Sequence, residues 1–341
     1  MITLQGGMMR GALIDLAAAR IGGKALLAND EFFAPKENLL APGRGVFIEG
    51  KYTDRGKWMD GWETRRRRGS EGEYDWCVIR LGIPGVIRAI TVDTNHFRGN
   101  HPAACSLDAA TLTGTLRNRQ LRVLDRAFTE VLPRSPLTAH TENEFTVQSG
   151  ASCTHVRLKI YPDGGVARLR VWGEARPDWP RIAKTRNVVD LVAVQHGGVP
   201  LATSDQFFSE PLNLLMPGRS RDMGDGWETR RRRGPGHDWV VLRLGRRGTI
   251  ERVELDTTHF KGNFPESASV EGCDMAGGAA PGDDAPWREL VPRTTLRADA
   301  RHRLPVAKAA RVPVTHARLN IFPDGGVARL RVWGRPDPPS T

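Results

Sequence analysis

No unbroken apolar run of about 18 residues occurs in this 341-residue chain, so a membrane-spanning helix is not supported and no membrane partner is expected. The start of the chain also lacks a basic stretch leading into an apolar core and a small-residue cleavage site, since Arg10 and Asp15 interrupt its most apolar part. A cytoplasmic protein is the expectation. Cysteine is scarce: Cys77, Cys105, Cys153 and Cys273 form no CxxC pair, which argues against a disulfide framework and a thiolate metal site. HExxH, GxxxxGK[ST], a strand-to-helix GxGxxG and GxSxG are missing too, so the common zinc-protease, nucleotide and serine-hydrolase readings lose support.

Repetition, in contrast, is extensive. The string DGWETRRRRG stands at residues 60–69 and again, unchanged, at 225–234, and PDGGVARLRVWG recurs intact at 162–173 and 323–334. Between these anchors Asp93, His96 and Asn100 match Asp256, His259 and Asn263. The first copy carries a ten-residue insertion within residues 45–59, the kind of length change that exposed connections tolerate. A period this long exceeds the roughly 20 to 50 residues of a solenoid repeat. Two complete domains are expected, at 15–174 and 190–335, joined by a linker at 175–189. None of the four cysteines has a cysteine at its partner position, so no ancestral disulfide was copied, and Cys77 reads as a small buried residue.

A formal charge of +11 invites a nucleic-acid reading. Against it, the four-arginine runs at 65–68 and 230–233 fall within what reads as patterned strand, where Arg65 and Arg67 point one way and Arg66 and Arg68 the other. One face of each run then meets protein or a small anion, and no nucleic-acid partner is expected.

Short apolar or alternating runs bounded by Gly, Pro, Asn and Asp predict strands at 76–81, 90–92, 155–160 and 166–172, with counterparts at 239–244, 252–255, 316–321 and 327–333. The segments at 161–165 and 322–326 read as tight, hairpin-like turns. Helical signal is confined to pieces such as 30–40, where Asn29 or Asp30 is placed to cap a short turn. The fold class is all-β, with two tandem jelly-roll β-sandwiches arising from internal duplication.

Among the polar positions shared by the copies, three clusters carry candidate chemistry: Asp60, Trp62, Glu63 and Arg65 with twins Asp225, Trp227, Glu228 and Arg230; Asp93, His96 and Asn100 with their twins; and Asp163 or Asp324 in the turns. Trp62 and Trp227 read equally as core aromatics, and Glu63 with Arg65 as an exposed ion pair. An imidazole at a strand end suits acid or base work, and an Asp three residues earlier suits fixing its tautomer or holding a metal.

Taken jointly, DGWETRRRRG, DTNHFRGN or DTTHFKGN, IYPDGG or IFPDGG and the terminal RVWG resemble the allantoicase family over about residues 15–334. Two further stretches agree with the family pattern, NDEFFAPKENLL from Asn29 and FIE leading into YTDRGKWMDGWE from Tyr52. The resemblance implies a fold related to galactose-binding domains, hydrolysis of allantoate to ureidoglycolate and urea, and a homo-oligomer. On that footing Arg65 or Arg66, with Arg230 or Arg231, is expected to hold the substrate carboxylate, because a guanidinium meets a carboxylate in two parallel hydrogen bonds. His96 or His259 is the expected proton donor or acceptor, oriented by Asp93 or Asp256. Glu63 or Glu228 positions water, Asn100 or Asn263 holds a ureido group, and Asp60, Trp62, Lys57, Asp225 and Trp227 complete the expected substrate contacts. No cofactor is expected, with a divalent metal held by Asp and His from separate loops left open. The competing class is a carbohydrate-binding module using an aromatic platform such as Trp58 and Trp62.

Overall fold

The computed structural model describes residues 13–68, 73–114, 125–185, 187–276 and 280–338. Two compact units emerge, Leu13–Arg176 and the chain from Pro177 onward, each built almost entirely of antiparallel strands. The second unit begins with a seven-residue helix, Trp179–Thr185, whose Trp179 is buried. Among the described residues no helix is long and apolar enough to cross a membrane.

Each unit is a two-layer β-sandwich organised around one strand of 19 residues, Asp75–Asp93 in the first and Asp238–Asp256 in the second. The first half of Asp75–Asp93 pairs with Lys24–Ala28 and Ser152–Tyr161, and Ala104–Ala110 and Thr129–Pro136 extend that layer. Its second half pairs with Arg168–Ala175 and Glu142–Thr146, and Ile14–Asp15 adds to the edge. The runs predicted at 76–81 and 90–92 are therefore one continuous strand shared by both layers, bridged by Ile83, Pro84 and Gly85. Period-two alternation explains the filling: Cys77, Ile79, Leu81 and Ile83 are all buried, Cys77 and Ile79 beside their cross-strand partners Leu158 and Val156, as Ile90 and Val92 are beside Val171 and Leu169.

The segments at 161–165 and 322–326 are corners rather than hairpins. Ser152–Tyr161 and Arg168–Ala175 pair mainly with opposite halves of Asp75–Asp93, so the chain passes from one layer to the other through cis Tyr161–Pro162, as it does through cis Phe322–Pro323 in the second unit. Just after each corner a two-residue strand, Gly165–Val166 or Gly326–Val327, pairs with Trp62–Glu63 or Trp227–Glu228. Among the described residues of each repeated string only these two are strand; the arginine runs that follow are extended loop, which corrects the strand expectation for them. Residues 30–40 form only a short 3-10 turn, Lys36–Leu40, preceded by Pro35 without a side-chain cap. Asn29 and Asp30 do other work: Asn29 Oδ1 accepts from the Trp76 N–H, and Asp30 binds Arg65.

Candidate active site

Alternation within the two-residue strand sorts its side chains. Trp62 and Trp227 turn inward and are completely buried, each indole N–H donating to the carbonyl of Asp30 or Asp205 at 2.8 and 2.9 Å. They are core residues, so neither contacts substrate nor forms an aromatic platform, which overturns that part of the expected contact set. Their neighbours Glu63 and Glu228 turn outward. There Asn100 Nδ2 donates to Glu63 Oε1 at 2.7 Å and Asn263 Nδ2 to Glu228 Oε1 at 2.6 Å. The backbone holds the Asn loop in register: Asn100 O accepts from Gly165 N and Asn263 O from Gly326 N, both at 2.8 Å. Beneath Gly165 lies the ring of Phe97, fully buried and packed with Met59 and Ala167.

In the second unit this arrangement walls a cleft of about 710 Å³ bounded by Phe208, Glu228, Arg231, Asn263, Phe264 and Glu266. The four arginines of each run divide as alternate positions should. Arg65 and Arg230 pair with Asp30 and Asp205 at 2.7 and 3.0 Å, and Arg67 and Arg232 with Asp75 and Asp238 at 2.5 Å each. The backbone N–H groups of Arg67 and Arg232 donate to Asp163 and Asp324 at 2.8 Å, which occupies the turn carboxylates. Arg66 and Arg231 have no hydrogen-bond or ion-pair partner among the described residues, and Arg231 faces the cleft. Burial pushes the Glu63 carboxyl above its ordinary pKa, while the bond from Asn100 pulls the other way.

The remaining candidates lie in other contact sets. Asp93 accepts from Arg44 at 3.0 and 3.1 Å and from Asn95 N at 2.9 Å, and Asp256 accepts from Thr258 N at 2.8 Å and lies 3.4 Å from Arg301. No bond joins either carboxylate to its histidine, so the expected Asp-oriented imidazole is not formed. His96 instead stacks between Phe47 and His140, with ring centroids 5.6 and 5.3 Å away, and His259 Nε2 meets the Ser220 carbonyl at 3.0 Å. Both histidines have positive φ, 67° and 74°, and their N–H groups are taken by His140 Nδ1 and Asp299 Oδ1. Burial, joined by the charges of His140, Arg98 and Arg44, lowers the His96 pKa. Asp60 and Asp225 form salt bridges with Arg168 and Arg329 at 2.6 and 2.9 Å, and Lys57 caps the Phe47 ring at 4.5 Å. These groups brace the loops. Among the described residues no three His, Cys, Asp or Glu side chains group as a metal site.

Sequence reasoning missed Arg168 and Arg329, although both sit inside the repeated PDGGVARLRVWG string, and it missed Phe208 as a wall of the cleft. Internal identity was the available signal for the two arginines; nothing local marks an exposed phenylalanine as a cleft wall.

Comparison with known proteins is consistent over the whole chain. The Allantoicase repeat family matches twice, at residues 14–176 and 189–337. A protein from Pseudomonas aeruginosa named "Probable allantoicase" is 47% identical over 329 residues, covering 96% of this chain and 97% of that one. One from Burkholderia mallei named "Probable allantoicase 1" is 45% identical over 327 residues, covering 95% of both chains. The crystal structure of an allantoicase from Saccharomyces cerevisiae is 37% identical, covers 95% of this chain and 93% of its own, and superposes with a TM-score of 0.79.

Proposed function

The chain belongs to the allantoicase family, hydrolysing allantoate to ureidoglycolate and urea, and we propose that the reaction runs in the Glu, Asn and Arg cleft that the repeated string builds. The observation that carries this reading is the twinned hydrogen bond from Asn100 to Glu63 and from Asn263 to Glu228, next to an arginine left without a protein partner.

Allantoate bears two ureido groups and a carboxylate on one tetrahedral carbon. Arg66 or Arg231 takes the carboxylate in a bidentate pair. Asn100 or Asn263 spends its N–H on the glutamate and offers its carbonyl oxygen to a ureido N–H. Glu63 or Glu228, protonated, gives its proton to the leaving ureido nitrogen. As that C–N bond breaks, the lone pair of the other ureido nitrogen moves toward the carbon. The carboxylate then takes a proton from water as its oxygen adds to the same carbon, which releases urea, forms ureidoglycolate and restores the protonated glutamate. Burial that raises the Glu63 pKa keeps the proton available nearer neutrality.

This route uses only groups of the chain, so urea release is expected to survive exhaustive chelation; its loss would call for a metal. Replacing Glu63→Gln and Glu228→Gln together is expected to cut kcat by about 10² to 10⁴-fold, the usual worth of a positioned acid or base. A double variant with near-parental urea release overturns the assignment. We also place the protein in the cytoplasm, in keeping with four free, buried cysteines. Self-association is supported by the exposed apolar side chains Val46, Phe47, Ile48 and Tyr52, and light scattering that finds a monomer at micromolar concentration would refute it.

A further inference from the structure

The matching site of the first repeat, the first cleft, differs from the second at three lining positions, one of them Pro136 in place of Thr295. At the position where Phe264 walls the second cleft, the first repeat has His101; where Glu266 walls the second, the first has Ala103. The backbone frame is the same in both. The space a Cβ on Gly164 would need is filled by Asn100 O, Pro102 N and His101 C, at 2.6, 2.9 and 3.0 Å. On Gly325 it is filled by Asn263 O, Pro265 N and Phe264 C, at 2.7, 2.9 and 3.0 Å. The N–H of Leu137 donates to Ala103 O as that of Leu296 does to Glu266 O, at 3.0 and 2.9 Å. His101 thus stands beside the Glu63 and Asn100 pair as Phe264 stands beside Glu228 and Asn263.

The His101 ring is seated so that Nδ1 is sealed from solvent without a hydrogen-bond partner. Nε2 is the ring's working nitrogen. The second cleft offers a phenyl ring at this point and adds the Glu266 carboxylate, which Arg293 meets at 3.3 Å on the exposed rim. An exposed pair of that kind offsets little of the repulsion a carboxylate exerts on an anionic ligand. The first cleft has no carboxylate at Ala103, so of the two it is the better suited to an anion.

We infer that the two repeats are functionally unequal: allantoate turns over in the first cleft, where His101 Nε2 makes a polar contact to a ureido group that the second cleft cannot make. This rests on the cleft reading above and assigns it to one repeat.

The test is steady-state urea release on the full chain, with thermal melting as a check on folding. His101→Phe, which recreates the second cleft's wall, is expected to lower kcat by about 100-fold at unchanged Tm, in the range a positioned proton-transfer or hydrogen-bonding group supplies. His101→Gln, whose amide nitrogen reaches the Nε2 position, is expected to recover to within about tenfold of the parent, whereas His101→Asn is not. Ala103→Glu, which imports the second cleft's carboxylate, is expected to raise KM by about fivefold with kcat retained. The inference is overturned if His101→Phe stays within about threefold of the parental kcat, or, should that variant fail to fold, if His101→Asn does so. Glu63→Gln in the same assay separates the two levels. An inactive Glu63→Gln beside an active His101→Phe removes only the role of His101; two active single variants overturn the assignment to the first repeat, and only an active Glu63→Gln, Glu228→Gln double variant removes the cleft reading itself.

Discussion

Asp60 and Asp225 show how position changes the meaning of a residue. Each is within a ten-residue identity that invites a substrate role, yet Asp225 and Arg329 form an ion pair in which both side chains are only 4% exposed. Removing one member leaves a buried charge without its partner, a loss of about 3 to 5 kcal/mol. Asp225→Ala is therefore expected to lower stability by that order in chemical denaturation, and a fall in activity without a fall in stability would contradict it. His155 carries a pH signature. It is buried beside Arg80, and burial first, then that charge, depresses its pKa from 6.5 to about 4. The unfolded chain therefore takes up the proton first. The stability His155 contributes is complete above about pH 6.5 and disappears as pH falls toward 4, at most about 3 kcal/mol for a shift of this size. In His155→Asn the decline in Tm between pH 6.5 and 4 is expected to flatten; a profile parallel to the parent's would remove His155 from the account.

At the scale of the element, the two-residue strand Trp62–Glu63 does the positioning. Trp62 anchors it from below, Gly165 pairs with Glu63 from the side, and Ala34 bridges to Glu63 from the opposite side. A Cβ on Gly165 would lie 1.9 Å from Phe97 Cε1, and Phe97 has no free volume into which to retreat. Gly165→Ala is expected to cost about 1 to 3 kcal/mol and to lower kcat as well, because the strand that aims Glu63 must shift. If Tm falls and kcat stands, the strand is not what aims the carboxylate. That Trp62 turns in while Glu63 turns out was decided by the structure, since the sequence placed both among the expected site residues. The end of the strand after Glu63 was not readable from the sequence either, because the arginines that follow are held by side-chain bonds to Asp30 and Asp75 and by backbone bonds to Asp30 and Asp163, and those partners are remote in the chain.

For the whole molecule, thiol chemistry reads out each repeat. Cys77, Cys105 and Cys153 belong to the first unit and Cys273 to the second, and all four are free and buried. Burial raises every one of these thiols, Cys105 to about 12 and Cys153 to about 11. A thiol-specific reagent is expected to modify none of them in the native protein. As denaturant rises, Cys77, Cys105 and Cys153 should become reactive together because they share one core. Stepwise labelling of these three would show that the first repeat is no single cooperative unit.

The duplication, the all-β class, the family and the residue types of the Glu, Asn and Arg set were all legible in the chain, because each follows from identity between copies or from alternation between neighbouring residues. Which of the identical residues face the cleft was decided only by tertiary structure. Glu63 meets Asn100 across 37 positions and Asp60 meets Arg168 across 108, and local pattern carries no information about such partners. Burial then separates them: a carboxylate sealed against a guanidinium is committed to structure, while one at a cleft beside an amide keeps a free edge for a ligand.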